Sequence, residues 1–439
     1  MIHLNKMKTA GKFLISAILI AFFASIGISA QTQNFVGADP DYLKSMVNGS
    51  SCYVESLSGT WERSFDEEKW EGVHIPAAHS ETRKVYFRRT LNLPAELADK
   101  YVWQLYFAGI DDEVEIYLNN QLVSRNFGVM APFAARIPQK LITGSSNTLV
   151  LAVSPATGGA RQIKTQNIFA KKVYTGIVRD ILLVGTPNIW VSEHKLNTTF
   201  SSGYASANLN FNIKISSADI DRVFSAIKDS SGQAQTSKTS ITVEATLRNK
   251  QTSEIAGSAQ SYSVEIERDR VIQSNFNINV NSPQMWSPLT PSLYEASIKL
   301  MRNGQLIHEY ITTVGFVDLA TRGNQLYLNG LPFEMKGISY FEDYASANQT
   351  LSAYQLEQDI KSIKMLGANV IRLKQTMPNP YFIELCNRNG IFVMIELPVY
   401  NVPNFLLGSN EIIVRMNNIA DNIATIYGNA PCVLAWGVS

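Results

Sequence analysis

The pattern of apolar residues changes near residue 325, and this change constrains the fold more than any other feature of the chain. Before it, short strand-like stretches follow one another with turn residues between them. After it, strand and helix patterns alternate. The strands are predicted near 333–338, 369–373, 391–397 and 433–438, and the helices near 352–366, 380–389 and 411–427. This alternation predicts a parallel sheet, and four strands with three helices form half of an eightfold barrel.

The residues before this change divide into two predicted β domains. In one stretch Val114, Ile116 and Leu118 alternate with Glu115 and Tyr117, which is typical of a sheet with one buried face. Many short strands of this kind predict a jelly-roll sandwich, and the next domain has a length that suits an immunoglobulin-like sandwich. The predicted divisions are a signal peptide over 1–30, a jelly roll over 31–190, an immunoglobulin-like sandwich over 191–317 and a partial barrel over 318–439.

The N-terminus has the pattern of a targeting segment. Lys6, Lys8 and Lys12 precede an apolar run over 13–28, and Ala30 follows as a small residue before a cleavage site. This order is typical of a secretory signal peptide. The alternative is a membrane anchor, but the run is shorter than the ~20 residues that a spanning helix needs. We therefore expect an exported protein, periplasmic or extracellular, that is not held at a membrane after cleavage.

Composition excludes several partners and cofactors. The formal net charge is +1, and no basic run interleaved with aromatic residues is present, so nothing indicates nucleic acid. The three cysteines, Cys52, Cys386 and Cys432, are predicted to be small buried apolar residues. No Cys or His spacing indicates a metal, and no cofactor is expected. A homo-oligomer remains open.

A series of short motifs, in a fixed order, covers nearly the whole chain. Each motif alone is weak, but together they resemble glycoside hydrolase family 2, which contains β-galactosidases, β-glucuronidases and β-mannosidases. That resemblance implies a jelly roll, an immunoglobulin-like sandwich and a TIM (β/α)8 barrel. The motifs are Trp70-Glu71-Gly72-Val73-His74-Ile75-Pro76, Gly176-Ile177-Val178-Arg179, Trp286-Ser287-Pro288, Pro291-Ser292-Leu293-Tyr294, Leu328-Asn329-Gly330, and Asp359, Lys364, Gly367, Asn369 and Arg372.

The resemblance also implies a mechanism. In that family one Glu protonates the leaving oxygen and a second Glu attacks the anomeric carbon, and retaining geometry holds the two carboxyl groups about 5–5.5 Å apart. Aligned on Trp436, the acid/base Glu would fall two positions after Ser439, and the nucleophile would come later still. The resemblance therefore implies that this sequence is the front part of a longer polypeptide, lacks both catalytic Glu residues and is inactive as such.

Six residues near the predicted strand ends are the candidate contacts to a carbohydrate. For Arg372 a structural salt bridge is the alternative role, for Glu396 a solvated loop carboxylate, and for Trp436 packing in the core. Glu342 and Asp343 face the barrel mouth or begin a polar loop. By resemblance, Ala170, Phe341 and Gln375 stand where the family has an Asp and two His residues. The full set of candidates is Arg372, Glu396, Glu342, Asp343, Gln375 and Trp436.

Three functions remain open from the sequence. The first is an exported glycosidase that hydrolyses O-glycosyl bonds of a β-linked glycan by the retaining mechanism. The second is a non-catalytic carbohydrate-binding or assembly protein on a degenerate hydrolase scaffold, which the substitutions at Ala170, Phe341 and Gln375 motivate. The third is an adhesive sandwich protein whose partial barrel docks on another chain.

Overall fold

A computed structural model describes most of the chain, and all structural statements below concern its described residues. They are 34–36, 40–49, 52–79, 83–93, 97, 100–127, 130–156, 175–218, 238–267, 270–342, 350–374, 377–398 and 404–438. The predicted signal peptide lies outside these residues. Within them, no helix combines the length and apolar character needed to cross a membrane.

The first domain is a β-sandwich with a short helix, α1 (Pro40–Lys44), near its start. Its strands are β1 (Asn34–Val36), β2 (Tyr53–Ser56), β3 (Gly59–Ser64), β4 (Glu71–Ile75), β5 (Ala77–His79), β6 (Val85–Asn92), β7 (Val102–Phe107), β8 (Ile110–Asp111), β9 (Glu113–Leu118), β10 (Gln121–Phe127), β11 (Phe133–Arg136), β12 (Ser146–Ser154), β13 (Thr175–Ile177) and β14 (Ile181–Thr186).

Two larger sheets and one small sheet form this sandwich. The sheet orders are β1-β2-β14-β7-β11, β10-β9-β12-β6-β3-β4 and β5-β13-β8. In β9 the buried residues are Val114, Ile116 and Leu118, as the alternation predicted. They join a core that includes Trp61 and Trp103, because alternate side chains of a strand share one face.

The second domain is another sandwich. Its strands are β15 (Ile189–Phe200), β16 (Ser206–Ser217), β17 (Lys238–Asn249), β18 (Ile255–Ser258), β19 (Tyr262–Glu267), β20 (Val271–Asn281), β21 (Tyr294–Arg302) and β22 (Gln305–Val314). One sheet has the order β15-β16-β20, and the other has the order β18-β17-β21-β22 with β19 also paired to β17. Phe211 and Phe276 are paired across β16 and β20 of the first sheet, and they stack in the core of the domain with ring centroids 5.0 Å apart.

The third region begins with a small antiparallel sheet and continues as alternating strands and helices. The strands are β23 (Leu319–Arg322), β24 (Gln325–Leu328), β25 (Leu331–Pro332), β26 (Gly337–Tyr340), β27 (Val370–Leu373), β28 (Phe392–Glu396) and β29 (Val433–Gly437). The helices are α2 (Ala353–Met365), α3 (Pro380–Asn389), α4 (Asn404–Leu407) and α5 (Asn410–Tyr427). Strands β26-β27-β28-β29 pair in parallel in this order.

Local sequence explains where two of these helices begin and end. Ser352 and Gln355 form a reciprocal capping box at the start of α2. The Asn379 side chain accepts a hydrogen bond from the Tyr381 backbone N–H at the start of α3. Gly390 ends α3 in the left-handed conformation, with φ 65°. These caps mark the start of α2 and both ends of α3, the helices that connect the parallel strands.

The same glycine also allows the second domain to approach the barrel. A Cβ atom on Gly390 would lie 2.7 Å from the carbonyl oxygen of Pro288, so a larger residue would force the two apart. Beside it, the Trp286 indole N–H donates to the Asn387 carbonyl at 2.8 Å, and its ring packs edge-on against Phe392. The Trp-Ser-Pro motif therefore anchors the second domain to the barrel.

A buried polar junction lies where the N-terminal segment meets the second domain. The Asn48 amide donates to the Tyr310 hydroxyl at 2.9 Å, and that hydroxyl lies 2.8 Å from His194 Nδ1. Nearby, His308 Nδ1 accepts from the Val191 backbone N–H at 3.2 Å. Burial lowers the pKa of His194 to about 4 and that of His308 to about 3. Both imidazoles are therefore neutral at pH 7.

Candidate functional site

Two predicted site residues meet at the carboxyl-terminal edge of the parallel sheet. Arg372 lies near the end of β27 and Glu396 ends β28, and the Arg372 Nε–H donates to Glu396 Oε1. The Arg372 side chain is 49% exposed and the Glu396 side chain is 13% exposed. The pair lies at the strand ends where barrel enzymes bind their substrates.

Strand register determines which neighbours share the face of this pair. Ser339 is opposite Arg372, and Arg372 is opposite Met394, so these three side chains point to the same side of the sheet. Glu396 lies two residues beyond Met394 and therefore faces the same way. These side chains line the inner face of the partial barrel, and the Arg372–Glu396 pair forms the polar end of this lining.

Gly437 makes room for the Glu396 carboxylate. It is paired with Glu396 across β28 and β29, and a Cβ atom at this position would lie 2.5 Å from Glu396 Cγ. A larger residue would force the Glu396 side chain or the strand itself to shift. The glycine of the Trp436-Gly437 sequence is therefore part of the site's geometry.

Glu342 lies elsewhere, in a buried contact between the first domain and the barrel. Its Oε2 accepts from Arg179 Nη2 at 3.0 Å, and its Oε1 accepts from the Asn379 backbone N–H at 3.2 Å. The side chains of Arg179 and Glu342 are 2% and 1% exposed. The structure thus differs from the prediction that Glu342 faces the barrel mouth or a polar loop, because both carboxylate oxygens contact buried protein groups.

Arg179 also binds the loop that follows the second barrel strand. Its guanidinium donates to the carbonyl oxygens of Met377 and Pro378, and to that of Met130 in the first domain at 2.9 Å. Gly109 provides the space, since a Cβ atom there would lie 3.0 Å from Arg179 Cδ. The sequence motif contained Arg179, but its pairing with Glu342 was missed because 163 positions separate the two.

Trp436 does not share the face of the Arg372–Glu396 pair. It is opposite Ile395, which is fully buried on the helix-facing side of the sheet. A register shift between Val393 and Met394 sets this alignment. Trp436 is 43% exposed. Asp343, Gln375 and Ala170 lie outside the described residues, and their roles stay predictions.

The described residues hold no group of three or more His, Cys, Asp or Glu side chains that could bind a metal ion. The three cysteines are buried and none is in a disulfide. Burial raises the pKa of Cys52 to about 12, so this thiol is protonated and unreactive at neutral pH. Arg372 and Glu396 supply hydrogen-bonding groups to the described part of the site.

Comparison with known families accounts for all three parts of the chain. Residues 71–187 match the family model described as "Glycosyl hydrolases family 2, sugar binding domain", and residues 191–316 match the one described as "Glycosyl hydrolases family 2". Residues 319–427 match "Glycosyl hydrolases family 2, TIM barrel domain". The chain belongs to glycosyl hydrolase family 2. The resemblance inferred from the ordered motifs is confirmed.

Relatives of this family 2 chain include a candidate β-glucuronidase of Formosa agariphila, 22% identical over 407 residues. The match covers 90% of this chain and 46% of that protein. Among solved structures, the β-glucuronidase of Bacteroides uniformis aligns with a TM-score of 0.76 at 18% identity, over 88% of this chain and 47% of its own. The chain thus spans about half the length of these relatives.

A second solved structure extends the comparison. The β-galacturonidase of Eisenbergiella tayi bound to galacturonate aligns with a TM-score of 0.74 at 18% identity, over 89% of this chain and 66% of its own. At these identities the structural similarity establishes the fold. The predicted fold class, a jelly roll followed by an immunoglobulin-like sandwich and the start of a TIM barrel, is confirmed.

Proposed function

We propose that this chain is the substrate-facing front part of an exported family 2 glycosidase that hydrolyses O-glycosyl bonds of a β-linked glycan with retention. The observation that most supports this proposal is the Arg372–Glu396 pair at the carboxyl-terminal edge of four parallel strands. The family membership and the barrel position support a carbohydrate as the ligand of this edge.

The proposed reaction needs two further carboxyl groups. One protonates the glycosidic oxygen while the other attacks the anomeric carbon, and water then hydrolyses the glycosyl-enzyme. By resemblance, both would lie beyond Ser439. In this proposal the 439-residue chain binds and orients the sugar, and it does not hydrolyse the bond by itself.

Arg372 and Glu396 together can orient a sugar hydroxyl. The guanidinium offers several N–H donors in a fixed plane, and the carboxylate accepts hydrogen bonds. Their mutual hydrogen bond fixes both groups before a ligand arrives, which reduces the entropy lost on binding. Because Glu396 already balances the charge of Arg372, the pair favours a neutral sugar over a uronic acid, although the relatives include enzymes named for uronides.

A non-catalytic carbohydrate-binding protein is the second candidate. It is favoured by Phe341, which by resemblance replaces a His of the sugar site, and by the buried position of Glu342 beside it. Under this alternative the barrel edge would bind a glycan and no bond would be cleaved. Export is part of both proposals, and the mass of the mature N-terminus from a secreting host would test it.

Hydrolysis of a panel of aryl β-glycosides tests the enzyme proposal. The panel is assayed with the 439-residue chain and with a longer form that continues in the same reading frame through the remaining barrel strands. We expect hydrolysis by the longer form alone. A longer form that melts cooperatively but cleaves no glycoside, neutral or acidic, would reject the glycosidase proposal and favour the binding protein.

A matched pair of variants tests the role of Arg372 in the active form. Arg372→Met should lower kcat/KM by about tenfold or more, since hydrogen bonds to charged groups contribute about 1.5–3 kcal/mol. Arg388→Met is the control, because Arg388 forms a similar ion pair with Glu384 on α3, with side chains 39% and 13% exposed. Equal activity in both variants would show that the Arg372–Glu396 pair is not part of the sugar site.

A further inference from the structure

The solvent face of the β15-β16-β20 sheet carries an unusual concentration of asparagine. Alternate positions of β16 and β20 are Asn, and they are paired across the two strands: Asn208 with Asn279, Asn210 with Asn277, and Asn212 with Asn275. We call these six residues the amide face. The residues between them, such as Phe211 and Ile278, are buried in the core of the second domain.

Side-chain hydrogen bonds order the amide face. The Asn210 Nδ2–H donates to Asn277 Oδ1 at 2.8 Å, and Asn208 donates to Asn279 in the same way. An Asn amide has two N–H donors and an acceptor oxygen with two lone pairs, so one such bond leaves capacity on both partners. The cross-strand bonds therefore fix the amides and leave hydrogen-bonding groups for a ligand.

The β-strand propensity of asparagine does not explain why this residue is so frequent on the amide face. Asn is depleted in β-strands, whereas Thr, Val and aromatic residues are enriched. A face whose only task is contact with water would be more stable with Thr, and six Asn residues in adjacent pairs act against the strand that they occupy. Departures of this kind from local preference occur at functional sites.

The amide face is regular. Strands β16 and β20 pair from Ser206–Asn281 to Ser216–Val271 without a register shift. Amides on neighbouring strands are therefore about 4.8 Å apart, and successive amides along a strand are about 6.8 Å apart. On the adjacent strand β15, the exposed residues Asn197 and Thr199 extend the grid opposite Asn210 and Asn208. A repeating surface of this kind suits a ligand that itself repeats.

The charge pattern selects the class of ligand. The centre of this surface carries amides and hydroxyls, and Lys195 lies opposite Asn212 at one side. At the same end, Lys214 is paired with Glu193 at 2.6 Å. A surface with little charge complements an uncharged polymer, whereas nucleic acid or an anionic polysaccharide would need clustered basic residues. Hydroxyl groups are the partners that both donate to and accept from amides.

We infer that the amide face binds a neutral, hydroxyl-rich polysaccharide, and that it holds the chain on its polymer at a distance from the barrel edge. The face belongs to the second domain, outside the residues that match the sugar binding domain of the family. The inference does not depend on hydrolysis, because the amide face is complete in the described residues.

Affinity electrophoresis of the 439-residue chain tests this inference. The native gels contain barley β-glucan, galactomannan or xylan, with polygalacturonate as the anionic comparison. We expect retardation in at least one neutral gel, unchanged between low salt and 0.5 M NaCl, a condition in which exposed charges more than about 4 Å apart are largely screened. A chain that migrates unretarded in all three neutral gels would overturn the inference.

The informative variant is Asn210→Thr with Asn277→Thr. Thr favours strands and Thr–Thr pairs stabilise antiparallel sheets, so the variant should melt no lower than the parent chain. Its dissociation constant for the polysaccharide should rise about tenfold, because the variant loses the hydrogen bonds that two amides make to the ligand. The control is Asn92→Thr with Asn126→Thr, two strand asparagines of the first domain that should leave binding unchanged.

Two results would contradict the assignment. Retardation that survives unchanged in the Asn210→Thr, Asn277→Thr variant would place polysaccharide binding on another surface. Self-association of the parent chain that this variant abolishes, without any retardation in neutral gels, would identify a second copy of the chain as the occupant. Neither result bears on the glycoside assay, so failure of this inference and failure of the proposed enzyme are separable.

Discussion

Two Arg–Glu pairs lie near the carboxyl-terminal edge of the barrel strands, and they differ in their surroundings. Arg179–Glu342 joins the first domain to the barrel and is nearly inaccessible, while Arg372–Glu396 joins two neighbouring strands and is half exposed at the arginine. Buried charges need partners from the protein, whereas exposed charges are shared with water. The comparison separates a buried pair that joins two domains from a half-exposed pair that joins two strands at the barrel edge.

The buried pair should show the largest effect on stability. Arg179→Met leaves the Glu342 carboxylate without its guanidinium in a site that water does not reach, so we expect the free energy of unfolding to fall by about 3–5 kcal/mol. Urea denaturation followed by tryptophan fluorescence measures this change. A loss below about 1 kcal/mol would show that the two pairs are energetically alike.

The double variant Arg179→Met, Glu342→Gln sharpens the same test. Without a charge at position 342 there is no uncompensated carboxylate to bury, so part of the lost stability should return. Glu342→Gln alone leaves Arg179 among the carbonyl oxygens of Met377, Pro378 and Met130, and it should therefore cost less than Arg179→Met. Additive losses in the double variant would argue that the two charges do not interact.

The buried histidines extend the comparison to groups that would become charged, on protonation, without an ion-pair partner. The pKa of His308 is lowered from 6.5 to about 3 by burial, so the unfolded chain binds a proton between these values while the folded chain does not. Stability should therefore fall as pH decreases below 6.5. At pH 5 the contribution of His308 to this loss is about 2 kcal/mol relative to pH 7, from 1.5 pH units at about 1.4 kcal/mol each.

His308→Asn tests this assignment. The Asn side-chain oxygen can replace Nδ1 as the acceptor for the Val191 backbone N–H, so the fold should persist at pH 7. The stability difference between pH 7 and pH 5 should shrink by about 2 kcal/mol in urea titrations at both values. An unchanged pH dependence would mean that His308 already carries its proton in the folded protein.

The two pairs also show what sequence could and could not predict. Arg372 lies one residue before the end of a short apolar strand and Glu396 ends the next one, and parallel strands bring their carboxyl ends together, so the local pattern placed both at one edge. Arg179 and Glu342 belong to different domains, and no pattern in the local sequence relates the two residues. Their pairing depends on how the sandwich docks on the barrel, which periodicity does not encode.

Register is the other limit on prediction. The face on which Trp436 lies depends on the irregularity between Val393 and Met394, and a shift by one residue reverses the direction of every side chain that follows. The alternating Asn residues of β16 predict a strand equally well whether its polar side faces water or a ligand. Only the pairing of β16 with β20, which the local sequence does not specify, places Asn opposite Asn.

The exposed pair should show the smallest effect on stability and thus completes the comparison. Arg372→Met removes a charge that water reaches, and exposed ion pairs contribute about 0–1 kcal/mol, so the free energy of unfolding should change by less than about 1 kcal/mol. Arg388→Met removes a similarly exposed pair on α3 and should behave alike in urea. The two variants should then differ only in sugar binding, because Arg372 lies at the strand ends and Arg388 does not. A large loss of stability in Arg372→Met alone would instead make this pair a structural contact like Arg179–Glu342, and would remove the main support for a sugar site at this edge.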